Sequence, residues 1–306
     1  MANDAPFFFI VNPRAGAGGR KFAGIAARMR ALGVSYAAAA TTKPGDARTL
    51  SKLALGHGFR AIVCVGGDGT VNEVVNGFVT PEGLVDRRAV LGVIPSGTMQ
   101  DFARGASLPV GRDAALARLL DGRESAIDVG RIRFADGRVH VFVNVVGAGF
   151  DAEVAGRAAD VRGGAITSIP AHVLGFASAL AAYQNKEISL TFEDQPGSAA
   201  RLRCNAVIAA NGPSYAGVMN FAPGATLDDG RLDVVLVGDV AKIELLLNLP
   251  RVLAGTHVAH EKVTTYRVRG LSLESGDDAL VQADGEVVGR LPARVDVLPG
   301  ALRLIR

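Results

Sequence analysis

Ala61-Ile62-Val63-Cys64-Val65-Gly66-Gly67-Asp68-Gly69-Thr70-Val71-Asn72-Glu73-Val74-Val75-Asn76-Gly77 is the stretch on which the fold is read. Residues 61–65 are uniformly apolar, the signature of a strand covered on both faces. A glycine-rich turn follows, and residues 70–78 then carry a helical pattern. Strand, turn and helix in this order make half of a crossover unit, and the pattern repeats outward. Phe7 to Val11 reads as a buried strand, after which Phe22, Ile25, Met29 and Leu32 recur at helical spacing and predict one apolar helix face. Residues 34–40 predict a strand, 46–55 a helix and 90–94 a strand. Alternation of this kind implies parallel strands joined by crossover helices.

Ligands of such sheets bind at the carboxyl ends of the strands, where loops lead into helix N-termini. Here the loops are Asn12-Pro13-Arg14-Ala15-Gly16, Gly66-Gly67-Asp68-Gly69-Thr70 and Pro95-Ser96-Gly97-Thr98. Glycine permits close backbone approach and helix-start amides favour anions, so the three together predict a phosphate-binding rim. No Gly-x-x-x-x-Gly-Lys-Ser/Thr stretch occurs, which excludes a conventional P-loop.

Beyond residue 127 the texture changes to short strand candidates separated by turn signals, at 129–134, 138–146, 187–193, 202–209, 232–237, 264–274, 281–288 and 293–298. Two helix-like segments interrupt them, at 166–183 and 240–253. The predicted fold is therefore α/β. A doubly wound, mostly parallel domain spans 1–127, and a mainly antiparallel β-sandwich spans 128–306, with its last strand free to return to the first domain.

With 306 residues, 49% of them apolar, the chain can furnish a core in each domain. A formal charge of +3, with no long basic run, argues against a nucleic-acid partner and permits only weak attraction to anionic surfaces. Cys64 and Cys204 sit in apolar runs, as buried cysteines of a reducing compartment do. Residues 1–6 lack the positive charge of a signal peptide. Residues 166–183, broken by Pro170, His172 and Gly175, read as a buried or interfacial helix with a stripe of Ile169, Val173, Phe176 and Leu180.

The segment 66–77 closely resembles the signature of the diacylglycerol kinase catalytic-domain family, which includes bacterial diacylglycerol kinases and sphingosine kinase relatives. NAD kinases share the Gly-Gly-Asp-Gly-Thr part, but the continuation Asn72-Glu73-Val74-Val75-Asn76-Gly77 points to lipid kinases. So does Pro95-Ser96-Gly97-Thr98-Met99-Gln100-Asp101-Phe102-Ala103-Arg104, which is similar to the family's second motif with Gln100 in place of its usual Asn. Further matches follow in order: Asn12-Pro13 with Gly16, Thr41 ahead of Gly45-Asp46-Ala47, Ile127-Asp128-Val129-Gly130, Phe150-Asp151, Asp228-Asp229-Gly230 and Asp284-Gly285-Glu286. Some relatives place Lys where this chain has Ala17, and Arg14, Arg20 or Lys21 are its candidate substitutes.

The resemblance implies an NAD kinase-like nucleotide domain and ATP-dependent phosphorylation of a lipid hydroxyl. ATP would touch Asn12, Pro13, Arg14, Ala15, Gly16, Thr41, Gly66, Gly67, Asp68, Gly69, Thr70, Val71, Asn72, Gly97 and Thr98. Asp68, Asp101 and Asp128 lie near the rim and suit a hydrated Mg²⁺; helix capping by Asp101 and an arginine partner for Asp128 are the plainer structural alternatives. The β domain would supply the acceptor-lipid side of a cleft, with Asp284 as the base and Glu286 as its rival. In the resembled kinases a structural Mg²⁺ is held by an Asp matching Asp229 and by main-chain oxygens matching Thr226 and Arg231; an ordinary turn is the alternative. The expected setting is cytoplasmic, peripheral at the inner membrane surface, and base rates favour a homodimer if the chain assembles. Competing functions are a small-molecule kinase of the NAD kinase type and a non-catalytic nucleotide-binding regulator.

Overall fold

Two structural units share the chain, Met1–Val129 with Leu298–Arg306, and Gly130–Val297. The structure, a computed structural model, describes residues 7–16, 18–80, 82–162, 168–194, 199–213, 215, 217 and 219–306, the side chains of 161–162 and 168–172 excepted. Expectations placed on residues 1–6, Ala17, 166–167 and the side chain of Ile169 lie outside the described residues.

In the first unit, strands β1 (Phe7–Val11), β2 (Tyr36–Ala40), β3 (Ala61–Gly66) and β4 (Val90–Pro95) alternate with helices α1 (Gly18–Ala31), α2 (Asp46–Gly56) and α3 (Asp68–Asn76). The short α4 (Asp101–Gly105) and α5 (Arg112–Asp121) follow β4. The strands lie in the order β2-β1-β3-β4, all parallel, and the end of the chain adds one more parallel strand, with Arg303 opposite Val90. Strand order reverses between β1 and β3, the position at which doubly wound sheets bind ligands. Phe9, Val63, Ile25, Met29 and Leu116 form part of the core that holds helices against this sheet. Leu32 differs from expectation: α1 stops at Ala31, Gly33 turns the chain at φ 67°, and Leu32 stays exposed.

The second unit begins within β5 (Glu124–Phe134) and continues through β6 (Val139–Phe142), β7 (Val145–Gly149), α6 (Phe150–Arg162), α7 (Ser168–Ala182), β8 (Lys186–Phe192), β9 (Ala200–Cys204) and β10 (Ala206–Ala210). It is completed by β11 (Leu232–Val237), α8 (Lys242–Ala254), β12 (Val263–Val268), β13 (Gly270–Ser275), β14 (Leu280–Ala283), β15 (Glu286–Arg290) and the first part of β16 (Ala293–Ile305). One antiparallel sheet runs β12-β11-β10-β7-β14-β15. In the other, β16, β13, β8 and β9 are successive neighbours, and β5 pairs with β16 and β6. Ile132, Phe142 and Leu190 from the second sheet meet Val146, Val207 and Val234 from the first in a common core, so the β-sandwich expectation holds. The α7 stripe does not: Val173 is exposed, whereas Ala179 and Tyr183 are buried and Phe176 and Leu180 pack beside them. No helix among the described residues is long and apolar enough to cross a membrane.

Buried charge ties β5 to β16. Asp296 accepts hydrogen bonds from Arg131 at 2.9 and 2.6 Å and from Arg133 at 2.7 Å. Removing one member of a buried pair strands the other, which typically costs about 3–5 kcal/mol. Asp296→Ala is therefore expected to lower unfolding stability by roughly that amount in a denaturant titration, and Arg133→Ala, at the more exposed partner, by about 1 kcal/mol.

Candidate functional site

Parallel register brings the three loops of the first unit together. Val11 stands opposite Val65, and Asn12 N–H donates to the Val65 carbonyl at 2.9 Å. Gly66 stands opposite Pro95, and Ser96 N–H donates to the Gly66 carbonyl at 2.9 Å. Across these junctions the Asn12 amide donates to Thr70 Oγ1 at 3.0 Å, and Thr41 N–H reaches the Val11 carbonyl at 2.9 Å. The backbones then approach closely. A Cβ on Gly97 would lie 2.5 Å from Gly67 Cα, and one on Gly16, at φ 56°, would run into the Ser96 carbonyl. Glycine at these places is a packing requirement of the loops themselves.

What these loops expose is donor-rich. Helix α3 starts after Gly67 with no side-chain cap, so the N–H groups of Asp68, Gly69 and Thr70 have no intrahelical acceptor, and the helix dipole adds positive potential there. Ser96 Oγ is buried and lacks a hydrogen-bond partner among the described residues. Lys21 Nζ is held on the Pro95 carbonyl at 2.6 Å, a cation at the edge of the third loop; Arg14 and Arg20 are exposed. Stranded amides, an orphaned hydroxyl, glycine-lined walls and a nearby ammonium fit the phosphates of a nucleotide. Of the three cations expected to stand in for the missing Lys at Ala17, Lys21 is the one that reaches the third loop. Ser96 lies in a loop expected at the rim but was not singled out as a contact, and its position in the Pro-Ser-Gly-Thr turn is the signal that points to it.

The rim carboxylates are individually occupied. Asp68 Oδ1 accepts the Phe102 N–H at 2.9 Å, joining the second loop to α4. Buried Asp101 pairs with Arg104 at 2.6 Å, three residues on in the same helix. Buried Asp128 accepts the Gly300 N–H at 2.7 Å and so fastens the returning strand. No group of three or more His, Cys, Asp or Glu among the described residues is arranged to hold a metal. Asp68, half-buried beside the stranded amides, is the carboxylate that fits a cation carried with the phosphates, since Mg²⁺ commonly takes one or two carboxylates and keeps its waters. Gln100 adopts left-handed backbone at φ 57°, where Asn is better tolerated, and its amide reaches the Gly97 carbonyl at 2.8 Å.

In the second unit Asp284-Gly285 forms the two-residue hairpin between β14 and β15, with φ of 47° and 90° and Ala283 opposite Glu286. The turn is more than a connection. Asp284 is buried, and its carboxylate accepts N–H groups from Val143 at 2.8 Å, Asn144 at 2.9 Å and Val145 at 2.9 Å. Oδ2 takes the Val143 bond and Oδ1 the other two. Glu286 is exposed. Behind the turn, Gln282 donates to Asp151 Oδ2 at 2.9 Å and accepts the Gly285 N–H at 2.9 Å. Burial pushes the Asp151 carboxyl up to about 6, against the pull of the Gln282 hydrogen bond.

Asp229 has protein partners on both of its oxygens. Thr226 Oγ1 donates to Oδ2 at 2.6 Å, Arg231 N–H donates to Oδ1 at 2.9 Å, and the Arg267 guanidinium pairs with Oδ2. Burial raises the Asp229 carboxyl, but these hydrogen bonds outweigh it and hold the group below the usual carboxylate range. Of the expected Mg²⁺ donors, the main-chain oxygens of Thr226 and Arg231 and the Asp229 carboxylate, only the last is charged, and it already carries a guanidinium, which makes the set a poor fit to the metal. His257 and His260 gather no third ligand among the described residues, and His257 is buried against the Phe221 carbonyl at 3.1 Å.

Two solution measurements follow from these groups. The folded Asp151 carboxyl lies above its ordinary 3.8, so its contribution favours the fold fully below pH 3.8 and is lost as pH rises through about 6. Asp151→Asn should therefore be more stable than wild type at pH 8, by roughly 2–3 kcal/mol, and the advantage should vanish near pH 4, as read from melting across pH. For Asp229, wild-type melting should be indifferent to added Mg²⁺ or to EDTA, and Arg267→Met should lower the melting midpoint slightly, as loss of an exposed ion pair does. A wild-type midpoint that rises with Mg²⁺ would show that a metal, not Arg267, balances Asp229.

Comparison with known proteins places this geometry. Residues 6–132 match the model of the diacylglycerol kinase catalytic domain, and residues 144–306 that of the YegS C-terminal NAD kinase beta sandwich-like domain. A diacylglycerol kinase of Mycobacterium tuberculosis (strain ATCC 25618 / H37Rv) is 30% identical over 302 residues, covering 97% of this chain and 94% of that protein. One from Staphylococcus carnosus (strain TM300) is 28% identical over 266 residues, covering 87% and 83%. A crystal structure of a diacylglycerol kinase from Bacillus anthracis str. Sterne superposes with a TM-score of 0.71 at 20% identity, over 100% of this chain and 98% of that one, and so shares the fold. Matched along nearly its whole length by both domain models and by relatives of full-length extent, the chain belongs to the diacylglycerol kinase family.

Proposed function

We propose that this protein is an ATP-dependent lipid kinase that transfers the γ-phosphoryl group to the hydroxyl of a diacylglycerol or a related lipid. The observation that carries this reading is the first unit's cradle, where glycine-lined loops, the α3 N-terminus and the unpartnered Ser96 Oγ converge in a member of this family. Phosphoryl transfer asks the protein for positioning and charge neutralisation more than for covalent chemistry. Stranded amides of residues 68–70, Ser96 Oγ and Lys21 would grip the phosphate oxygens, and Asp68 would hold the hydrated Mg²⁺ that travels with them. ATP supplies the phosphoryl group, and Mg²⁺ neutralises its charge. Asp284, its carboxylate fixed by backbone donors, would take the proton of the lipid hydroxyl as the new oxygen–phosphorus bond forms, the β–γ bridge breaks and ADP leaves.

Labelled ATP incubated with total bacterial lipid extract, or with NAD, distinguishes acceptors by product mass. A phosphorylated lipid is expected; labelled dinucleotide with no labelled lipid would replace this reading with the small-molecule one. Asp284→Asn should lower kcat by about 10²–10⁴-fold, with ATP affinity unchanged. Because Asp284 also anchors residues 143–145, its melting midpoint is measured alongside. Glu286→Gln should keep most activity. The reverse pattern, with Asp284→Asn folded and active and Glu286→Gln inactive, would assign the base to Glu286.

A further inference from the structure

Helix α8 carries its apolar stripe on the outside. None of its residues is buried; Ile243, Leu246, Leu247 and Leu253 are all exposed, Leu247 at 72% and Ile243 at 63%. Positions 243, 246, 247, 250 and 253 recur at helical spacing, so they share one face, the reverse of what a helix seated on a core presents. The helix's own carboxylate is turned inward and neutralised, Glu244 pairing with Lys262 at 2.8 Å and lying beside His260. Exposed Lys242 and Arg251 remain, and neither has an ion-pair partner in the described structure. An outward apolar stripe with positive flanks is the composition of a helix that lies in a membrane interface.

The far end of α8 is joined to the hairpin that carries Asp284. Asn220 N–H donates to the Val252 carbonyl at 3.3 Å, and His257 sits edge-on to Phe221 with ring centroids 6.2 Å apart. Phe221 in turn stacks near Tyr215 at 6.2 Å, and the Tyr215 ring borders Gly285, where a Cβ would lie 3.5 Å from it. A chain of rings, His257, Phe221 and Tyr215, thus leads from the segment beside the end of α8 to the hairpin that carries Asp284.

We propose that α8 is the surface by which this protein docks on a bilayer containing anionic phospholipid, with Ile243, Leu246 and Leu247 entering the headgroup layer and Lys242 and Arg251 meeting its charge. The choice of a bilayer rests on the lipid-acceptor reading above and on two physical points. Charge complementarity favours an anionic surface. One face of a 13-residue helix is about 20 Å long and falls well short of the ~800 Å² per partner that a stable dimer needs.

The test is flotation of the full chain with vesicles of phosphatidylcholine alone or mixed with phosphatidylglycerol, comparing wild type with the surface double variant Ile243→Ser/Leu247→Ser and with Lys242→Ser/Arg251→Ser. Wild type is expected to float with the mixed vesicles, and the apolar double variant to lose roughly tenfold or more of that binding with an unchanged melting midpoint. The charge variant should lose the preference for phosphatidylglycerol. Wild-type flotation by the apolar variant overturns the proposal, and so does absence of flotation together with a dimer in solution that this variant dissolves. Activity on diacylglycerol is assayed in parallel in vesicles and in detergent micelles. Phosphorylation with vesicle binding indifferent to α8 removes the docking assignment alone, whereas α8-dependent binding without phosphorylation of any lipid removes the acceptor reading alone.

Discussion

The contact between Gly67 and Gly97 is the constraint on which the nucleotide half of this protein depends. Two loops that leave neighbouring parallel strands can converge only if neither carries a side chain at the crossing, and a Cβ on Gly97 would come within 2.5 Å of Gly67 Cα. Register enforces the meeting, since Gly66 and Pro95 are paired at the ends of β3 and β4. The first loop is drawn in by Asn12, which bonds both the Val65 carbonyl and Thr70. The result is a wall of backbone facing the ends of the strands, with helix-start amides that lack an intrahelical acceptor. Such donors cost little to leave open because they stay accessible to water until an anion arrives.

The second unit solves a different problem, how to hold one carboxylate in place on a tight turn. Asp284 occupies left-handed backbone, which an I′ hairpin requires at both central positions. Three backbone donors from 143–145 fix its side chain, and Gln282 fixes the next peptide from below. The buried Asp151 that braces Gln282 is retained against its own desolvation, a cost of the sort found where a scaffold serves a site rather than its own stability. At Asp229 the charge balance is internal instead, with Arg267 supplying the positive group.

How much of this was legible in the sequence depended on what each element writes into it. Parallel strands covered on both faces write apolar runs, so β1, β3 and β4 and the loops behind them could be read directly, and the glycines stood out because a close approach allows little else. Helix α6 wrote nothing comparable: apart from Phe150 and Asp151 at its start, its buried positions Ala152, Ala155 and Ala158 are alanines, too small to mark an apolar face. Helix α8 misleads in the opposite way, because its periodic Ile and Leu positions predict a buried face and the structure turns that face outward. The expectation for α7 failed for a related reason, its outward Val173 being as apolar as its inward neighbours. Lys21 could be read only as one of three candidate cations, because its contact with the Pro95 carbonyl comes from strand pairing, and Arg267 meets Asp229 across 38 residues of sequence, so local patterns carry no trace of that partner. The carboxylates Asp101 and Asp128 were recognised by motif; the Arg104 partner of Asp101 is local, three residues on in the same helix, while the bond from Gly300 to Asp128 belongs to tertiary structure.

The central claim, that the backbone of three converging loops receives the phosphates of ATP, is tested most directly by amide resonances of isotope-labelled protein titrated with ATP and Mg²⁺. The account predicts that the largest shifts fall on the N–H groups of Gly16, Gly67, Asp68, Gly69, Thr70 and Gly97, and that they disappear when adenosine replaces ATP. Saturable ATP binding that leaves these amides unmoved would contradict it.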